Sequence, residues 1–217
     1  EEEVYPQLVA QNKLFATMTE HQYYSVGSFE RIKFTEEFFK PKRVVFLDRD
    51  GTINKRPARA CYIEKPEEFV WLPGAIEAIH MLKKNGFLVI IITNQPGIAR
   101  GNLTEEMLHC IHEKMRADLL KERTEIDDIF YCPHNWDDGC FCRKPNPGMI
   151  FEAQKKYSLN LSECYLIGDD ERDIAAGEAA GCICRMVDEK YTVLDVAKEI
   201  VSLEKKEKIH DYFKDTP

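Results

Sequence analysis

From residue 43 onward the chain alternates short, β-branched apolar runs with amphipathic stretches, and few architectures accept that pattern. "RVVFLD" (43 to 48) is apolar between its polar ends, as a strand buried on both faces must be. "PGAIEAIHMLKKNG" (73 to 86) opens with Pro, repeats apolar residues at Ile76, Ile79 and Leu82, and stops at Gly86, which predicts a helix. "FLVIIIT" (87 to 93) is the next strand. Thr104 is placed to cap a helix with Glu105 and Glu106 in its first turn and Leu108, Ile111, Met115 and Leu119 along one face. "DDIFYC" (127 to 132) is a third strand, and Asn146 and Pro147 are expected as N-cap and first-turn residue of a helix to about Tyr157. The strand "CYLIGD" (164 to 169), the helix "ERDIAAGEAAG" and the strand "CICRMVD" (182 to 188) complete the series.

Strands separated by helices imply an α/β fold, a Rossmann-like doubly wound parallel sheet, in which ligands sit outside the carboxyl ends of the strands. At those ends stand Asp48 and Asp50, Thr93 and Asn94, and Asp169 and Asp170. A lone D-x-D is common in loops, but acidic and hydroxylated side chains gathered from three strands onto one sheet edge are a functional signal.

Composition excludes some classes. Of 217 residues 44% are hydrophobic and 31% charged, enough for one α/β domain and a modest extra piece. The formal net charge of −8 argues against nucleic acid as a partner, and the longest apolar run, residues 87 to 93, is far too short to cross a membrane. Eight irregularly spaced cysteines do not make a secreted disulfide scaffold, so a cytoplasmic location is expected. Cys61, Cys110, Cys164, Cys182 and Cys184 are expected as buried small hydrophobes. The sequence begins at Glu1 rather than Met, so its start carries no information on a leader or an upstream domain.

Asp48 is ionised at neutral pH without a helper base and could attack phosphorus directly. Such chemistry also needs a cation among the acids, donors for the equatorial oxygens, and an acid for the leaving oxygen. Asp48 and Asp169 offer hard oxygen ligands for Mg²⁺, Thr93 a hydroxyl, Lys144 a positive charge, and Asp50 a proton carrier. Separately, Cys132, His134, Cys140 and Cys142 supply three thiolates and an imidazole, the donor set of a closed structural Zn²⁺ site; a disulfide or free thiols beside a surface histidine are the rival readings. Asp137 and Asp138 are expected as turn formers there.

"FLDRDGT", "TNQPGIARG", "CRKPNPGM" and "IGDDERDIAAGEAAG" together resemble the four motifs of the haloacid dehalogenase superfamily of phosphatases, over about residues 41 to 190. More narrowly they resemble its capless heptose 1,7-bisphosphate phosphatase and histidinol phosphatase group. The resemblance implies Asp48 as nucleophile, Asp50 as acid/base, and Mg²⁺ held by Asp48, Asp169 and the backbone carbonyl of Asp50. It further implies a small phosphorylated sugar as substrate, with Asn94, Gln95, Arg100, Arg143 and Asp170 on the substrate side. This chain departs from the pattern at Pro96, where Ser is common, and at Asp170, where Lys is common. Its stretch 54 to 66 is longer than usual, adding Arg56 and Arg59. Residues 51 to 86 and 94 to 143 are largely spoken for by helices, a strand and the cysteine loop, which leaves no space for a lid domain.

Residues 1 to 40 precede the catalytic motifs, and residues 191 to 217 form a C-terminal helical segment. The first forty residues are either a helical extension or, by a short resemblance, the end of a sugar-phosphate nucleotidyltransferase domain, where a helix and a short strand precede a turn and another helix. In that second case the phosphatase is covalently linked to an upstream nucleotidyltransferase. Two other classes fit parts of the pattern: a phospho-accepting receiver domain and a zinc-stabilised interaction module without catalysis.

Overall fold

The computed structural model describes residues 4–15, 27–40, 42–58 and 61–214, and divides into two units, Glu1–Lys40 and Pro41–Pro217. The first unit contains α1 (Val4–Ala10) and α2 (Phe29–Phe39). The short strand expected between them falls largely within residues 16–26, outside the described residues, as does Arg59.

In the second unit β1 (Val44–Leu47), α3 (Ala75–Lys84), β2 (Leu88–Asn94), α4 (Glu105–Lys121) and β3 (Asp128–Cys132) follow one another. Then come α5 (Gly148–Tyr157), β4 (Tyr165–Gly168), α6 (Glu171–Ala180), β5 (Ile183–Met186) and α7 (Val193–Lys214). The five strands form one parallel sheet in the order β3-β2-β1-β4-β5, so β1 is central and the chain reverses direction of winding beside it. Side chains of a strand alternate between faces, and the core divides accordingly. Val45, Leu47, Val89, Ile91 and Ile167 pack with α3, α4 and α7, whereas Val44, Phe46, Ile90, Ile92 and Leu166 pack with α5 and α6. Both faces of β1 and β2 are covered, which is why their sequences read as unbroken apolar runs.

The register delivers the functional residues to one edge. Phe46 is level with Ile90 and Leu166, and Leu47 with Ile91 and Ile167. Asp48 therefore leaves β1 next to β4, its N–H donating to the Ile167 carbonyl at 2.9 Å. Among the described residues no cap domain is present: between β1 and α3 stands one short 3-10 turn, and between β2 and β3 stands α4 with its loops. No helix among the described residues is long and apolar enough to cross a membrane.

Thr104 caps α4 as expected, its Oγ1 accepting from the Met107 N–H at 3.1 Å. The start of α5 differs from expectation: Pro147 is the cap and Gly148 the first helical residue, because Asn146 turns its amide onto the Cys140 carbonyl at 2.9 Å. Cys164 is buried, but Cys61 and Cys110 are exposed and Cys182 and Cys184 half-buried. Cys110 lies two positions from Leu108 on α4, hence on the outward face, and Cys61 lies on a stretch without regular structure.

The helix α7 is part of this core rather than an appendage: Val193, Val196, Ala197 and Ile200 are buried in the cluster shared with α3. Ile200→Ala is expected to lower unfolding free energy by about 2–4 kcal/mol in urea titrations. A loss below half a kilocalorie would mean that α7 does not stabilise the sheet.

Candidate active site

The edge of the sheet is organised around Lys144. Its side chain is 3% exposed, and its ammonium donates to Asp48 Oδ1 at 2.5 Å and to the Ile92 carbonyl at 2.9 Å, and pairs with Asp173 Oδ1 at 2.6 Å. An ammonium has three protons, and here each faces one oxygen. The backbone of Lys144 is held as well: Asn94 Oδ1 accepts its N–H at 3.1 Å and Asn94 Nδ2 donates to its carbonyl at 3.0 Å. Burial alone would lower the lysine pKa, but the carboxylates of Asp48 and Asp173 outweigh it and hold the ammonium above its usual range. Asp48 is pushed up to about 7, chiefly by burial, with Lys144 opposing and Asp173 adding to the rise.

Asp50, two residues along, is the donor-rich carboxylate of the site. Arg49 reaches both its oxygens, at 3.2 and 2.8 Å, while Asn54 and Gln95 donate at 2.9 and 3.0 Å. Burial would raise its pKa, but Arg49 first and these donors after it hold the group below the usual carboxylate range. This arrangement keeps Asp50 in the form that accepts a proton; for it to donate one, some of these donors must be redirected. Arg49 is fully buried and lies 3.4 Å from His112 Nε2. Burial and the neighbouring Arg49 push the His112 pKa down to about 3, so its imidazole is neutral and can accept from the guanidinium.

Asp48, Asp50, Thr93, Asn94, Gln95, Arg143, Lys144 and Asp170 all border one cavity of about 360 Å³. Within it their employment differs. Gln95 is buried and donates to Thr93 Oγ1 at 2.8 Å as well as to Asp50, so its amide orders the acid and leaves the threonine hydrogen free to point elsewhere. Asp170 caps α6 and is matched with Arg172 at 2.8 Å and Arg56 at 3.4 Å; the hydrogen bond from Arg172 above all holds its pKa far down. Arg100 is not brought to the cavity wall: it donates to Asn135 and Tyr62, and Tyr62 stands at the wall in its place. Residues at the site that sequence reasoning missed are Asp173, Arg49, Asn54 and Arg172. Asp173 is three residues after Asp170, and that spacing signals a capping box, which it also forms, its Oδ2 accepting the Asp170 N–H at 3.1 Å.

The acidic donors lie close enough for a cation. Carboxylate oxygens of Asp48, Asp169 and Asp173 all lie within 4.8 Å of one another, while the Asp50 side chain stands outside this group. Both Asp173 oxygens accept from Lys144 and the Asp170 N–H, and both Asp169 oxygens are met as well, Oδ1 by the Thr52 hydroxyl at 3.3 Å and Oδ2 by Arg56 at 2.9 Å. Gly51, at φ +106°, makes room for them: a Cβ there would lie 1.9 Å from Asp169 Oδ2.

A family model described as haloacid dehalogenase-like hydrolase matches residues 2–181. The chain belongs to the haloacid dehalogenase-like hydrolases. Among relatives of this hydrolase, the D-glycero-alpha-D-manno-heptose-1,7-bisphosphate 7-phosphatase of Photorhabdus laumondii is 44% identical over 147 residues, covering 64% of this chain and 78% of its own. The D-glycero-beta-D-manno-heptose-1,7-bisphosphate 7-phosphatase of Bordetella bronchiseptica is 39% identical over 140 residues, with 64% and 77% covered. The crystal structure of D,D-heptose 1,7-bisphosphate phosphatase from B. bronchiseptica, complexed with magnesium and phosphate, superposes with a TM-score of 0.69 at 33% identity. It covers 74% of this chain and 98% of that one.

This hydrolase carries a second donor cluster. The ligand atoms of Cys132, His134, Cys140 and Cys142 lie within 4.8 Å of one another, and all four side chains converge from β3 and the loop after it. The sulfurs of Cys132 and Cys142 are 3.3 Å apart, so the four residues are gathered without being disulfide-bonded. Burial and the neighbouring thiols of Cys132 and Cys140 push the Cys142 pKa far up. Arg143 donates to the His134 carbonyl at 3.2 Å, and Asp138 accepts the Asn135 N–H at 2.7 Å, a turn-forming contact.

A raised carboxyl pKa sets the sign of a stability effect. Between about pH 4 and pH 7 the folded state holds a proton on Asp48 that the unfolded chain releases, so its contribution to stability falls as pH rises through that window. Lys144 stays protonated throughout. In Mg²⁺-free buffer Asp48→Asn is expected to exceed the parent in stability by roughly 2–4 kcal/mol at pH 8, with the gap closing toward pH 4. Urea unfolding at several pH values reads this directly, and a gap that does not change with pH would refute it.

Proposed function

We propose that this chain is a Mg²⁺-dependent phosphomonoesterase that removes the C7 phosphate of D-glycero-D-manno-heptose 1,7-bisphosphate. The observation that carries the reading is the buried Asp48 carboxylate, held by Lys144 at the mouth of a cavity that Arg56, Arg143 and Arg172 also border. The names of the relatives supply the sugar.

Asp48 attacks phosphorus and forms an aspartyl-phosphate, while the bond to the sugar oxygen breaks and that oxygen takes a proton from Asp50. Asp50, then a carboxylate stabilised by Arg49, takes a proton from water; the resulting hydroxide attacks the same phosphorus, releasing orthophosphate and Asp48. The Thr93 hydroxyl donates to a phosphoryl oxygen, and Lys144 offsets the charge at the attacking carboxylate. Asp48, Asp169 and the Asp50 carbonyl would hold Mg²⁺, which supplies charge neutralisation for the phosphoryl group and the carboxylate that must approach each other. Asn94 fixes the Lys144 backbone, and Arg143 presents a guanidinium toward the remainder of the substrate. Cys132, His134, Cys140 and Cys142 would hold a structural Zn²⁺ that pins the loop leading into Arg143 and Lys144. If residues 1–40 end a sugar nucleotidyltransferase domain, the sugar 1-phosphate released here would be the substrate of a covalently linked, cytoplasmic partner reaction.

Phosphate release from the heptose bisphosphate anomers and from histidinol phosphate tests the reading. The bisphosphates are expected to give the higher kcat/KM, and Asp48→Asn to lose roughly 10³-fold or more in kcat while keeping its zinc content and circular dichroism. Substantial turnover by Asp48→Asn would overturn the nucleophile, and a preference for histidinol phosphate would overturn the substrate.

The two metals are separable. Removing Mg²⁺ should stop turnover with the melting temperature little changed, whereas chelating Zn²⁺ should lower the melting temperature and weaken substrate binding together. Zinc-free protein with parental stability and KM would contradict a structural role for the cysteine loop.

A further inference from the structure

Arg56 occupies a position that its place in a loop does not explain. Its Nη2 lies 2.9 Å from Asp169 Oδ2, its Nε donates to the Asp50 backbone carbonyl at 3.2 Å, and its Nη1 lies 3.4 Å from Asp170 Oδ2. One planar guanidinium thus spans three acceptors around the acidic edge, each met by a different nitrogen, a spread that a single ammonium nitrogen does not have. Two of those acceptors, Asp169 and the Asp50 carbonyl, are among the three groups assigned above to Mg²⁺. The ion binds oxygen at about 2.0–2.1 Å in a near-octahedral shell with waters, and that shell cannot share these oxygens with a guanidinium already in contact with both.

Among the described residues, the polar contacts of the Arg56 side chain are these three. Its side chain is 46% exposed, and residues 55–58 have no helix or strand. It borders two cavities at once: the one of about 360 Å³ that contains Asp48, Lys144, Arg143 and Arg172, and another of about 590 Å³ on the far side of Asp169. A rotation about its side-chain bonds is enough to exchange Asp169 for the first cavity.

We propose that Arg56 is an internal counter-cation that competes with the divalent ion for Asp169 and the Asp50 carbonyl and, when displaced, adds its charge to the anion-binding cavity. The inference rests on the Mg²⁺ reading of the site. It makes metal affinity a property of the 54–66 stretch as well as of the ligands, and it couples metal entry to anion binding: the ion releases the guanidinium, and the guanidinium then faces the incoming phosphate. The two events favour each other without any movement of the sheet.

Titration calorimetry with Mg²⁺, and with Mn²⁺ followed by electron paramagnetic resonance, tests the competition without turnover. Arg56→Met is expected to bind either ion about 5–10-fold more tightly than the parent, the factor by which an arginine docked for most of the time lowers apparent affinity. Arg56→Lys, whose point charge cannot span the three acceptors, should fall between them. At saturating Mg²⁺, inorganic phosphate should bind Arg56→Met several-fold more weakly than the parent. Metal affinity unchanged or weakened in Arg56→Met overturns the proposal and leaves the phosphatase reading standing. Absence of Mg²⁺ binding by both proteins overturns the metal assignment and the proposal together.

Discussion

One buried ammonium sets the geometry on which the rest of the site depends. Lys144 brings a charge into the protein interior, where desolvation costs several kcal/mol, and it is tolerable there because two carboxylates and a carbonyl receive its protons. Those acceptors come from the end of β1, from β2 and from the first turn of α6. The lysine is therefore a three-way tie between elements far apart in sequence, and Asn94 fixes the backbone from which it reaches. Removing the charge would leave Asp48 and Asp173 facing each other in a dry place, a more costly state than never having buried either.

Around this tie the two aspartates of the D-R-D sequence are given opposite environments. Asp48 has one ammonium to share with Asp173 and sits high in pKa; Asp50 has a buried guanidinium of its own and sits low. The split keeps Asp50 as the carboxylate that accepts a proton, so its turn as acid requires some of its donors to be redirected. Arg49 can serve Asp50 from inside the core because His112, held neutral, accepts from its other side. A chain with a net charge of −8 thereby presents arginines and a lysine at the cavity that holds Asp48.

Much of this is legible in the sequence. Apolar runs at 43–48 and 87–93 read as strands covered on both faces, 127–132 read as a further strand and lies at the sheet edge half-buried, and the ends of strands wound in parallel meet on one edge. What stayed hidden was the employment of side chains with two plausible tasks. Asp173 looks like a capping residue and is one, which conceals its pairing with Lys144. Asn94 and Gln95 look like substrate contacts, yet their amides hold Lys144, Thr93 and Asp50, because a buried amide without partners costs more than a lost contact to ligand. Arg100 lies behind Tyr62, an arrangement set by the loop path and not by any periodicity. Cys61 and Cys110 show the limit of residue type as a guide to burial, since neither faces the core.

Gly51 closes one route of change and leaves another open. Its positive φ disfavours any side chain, and the Asp169 carboxylate fills the space in which a Cβ would sit, so two independent physical reasons exclude substitution there. The distance between the strand that bears Asp48 and the carboxylate of Asp169 is thus not adjustable by mutation at their junction. The stretch that begins a few residues later has no such lock at Lys55, Arg56 and Ala58, which are exposed and lie outside helix and strand. A change of length or charge in that stretch can therefore alter what meets the substrate without altering the spacing of the reacting carboxylates.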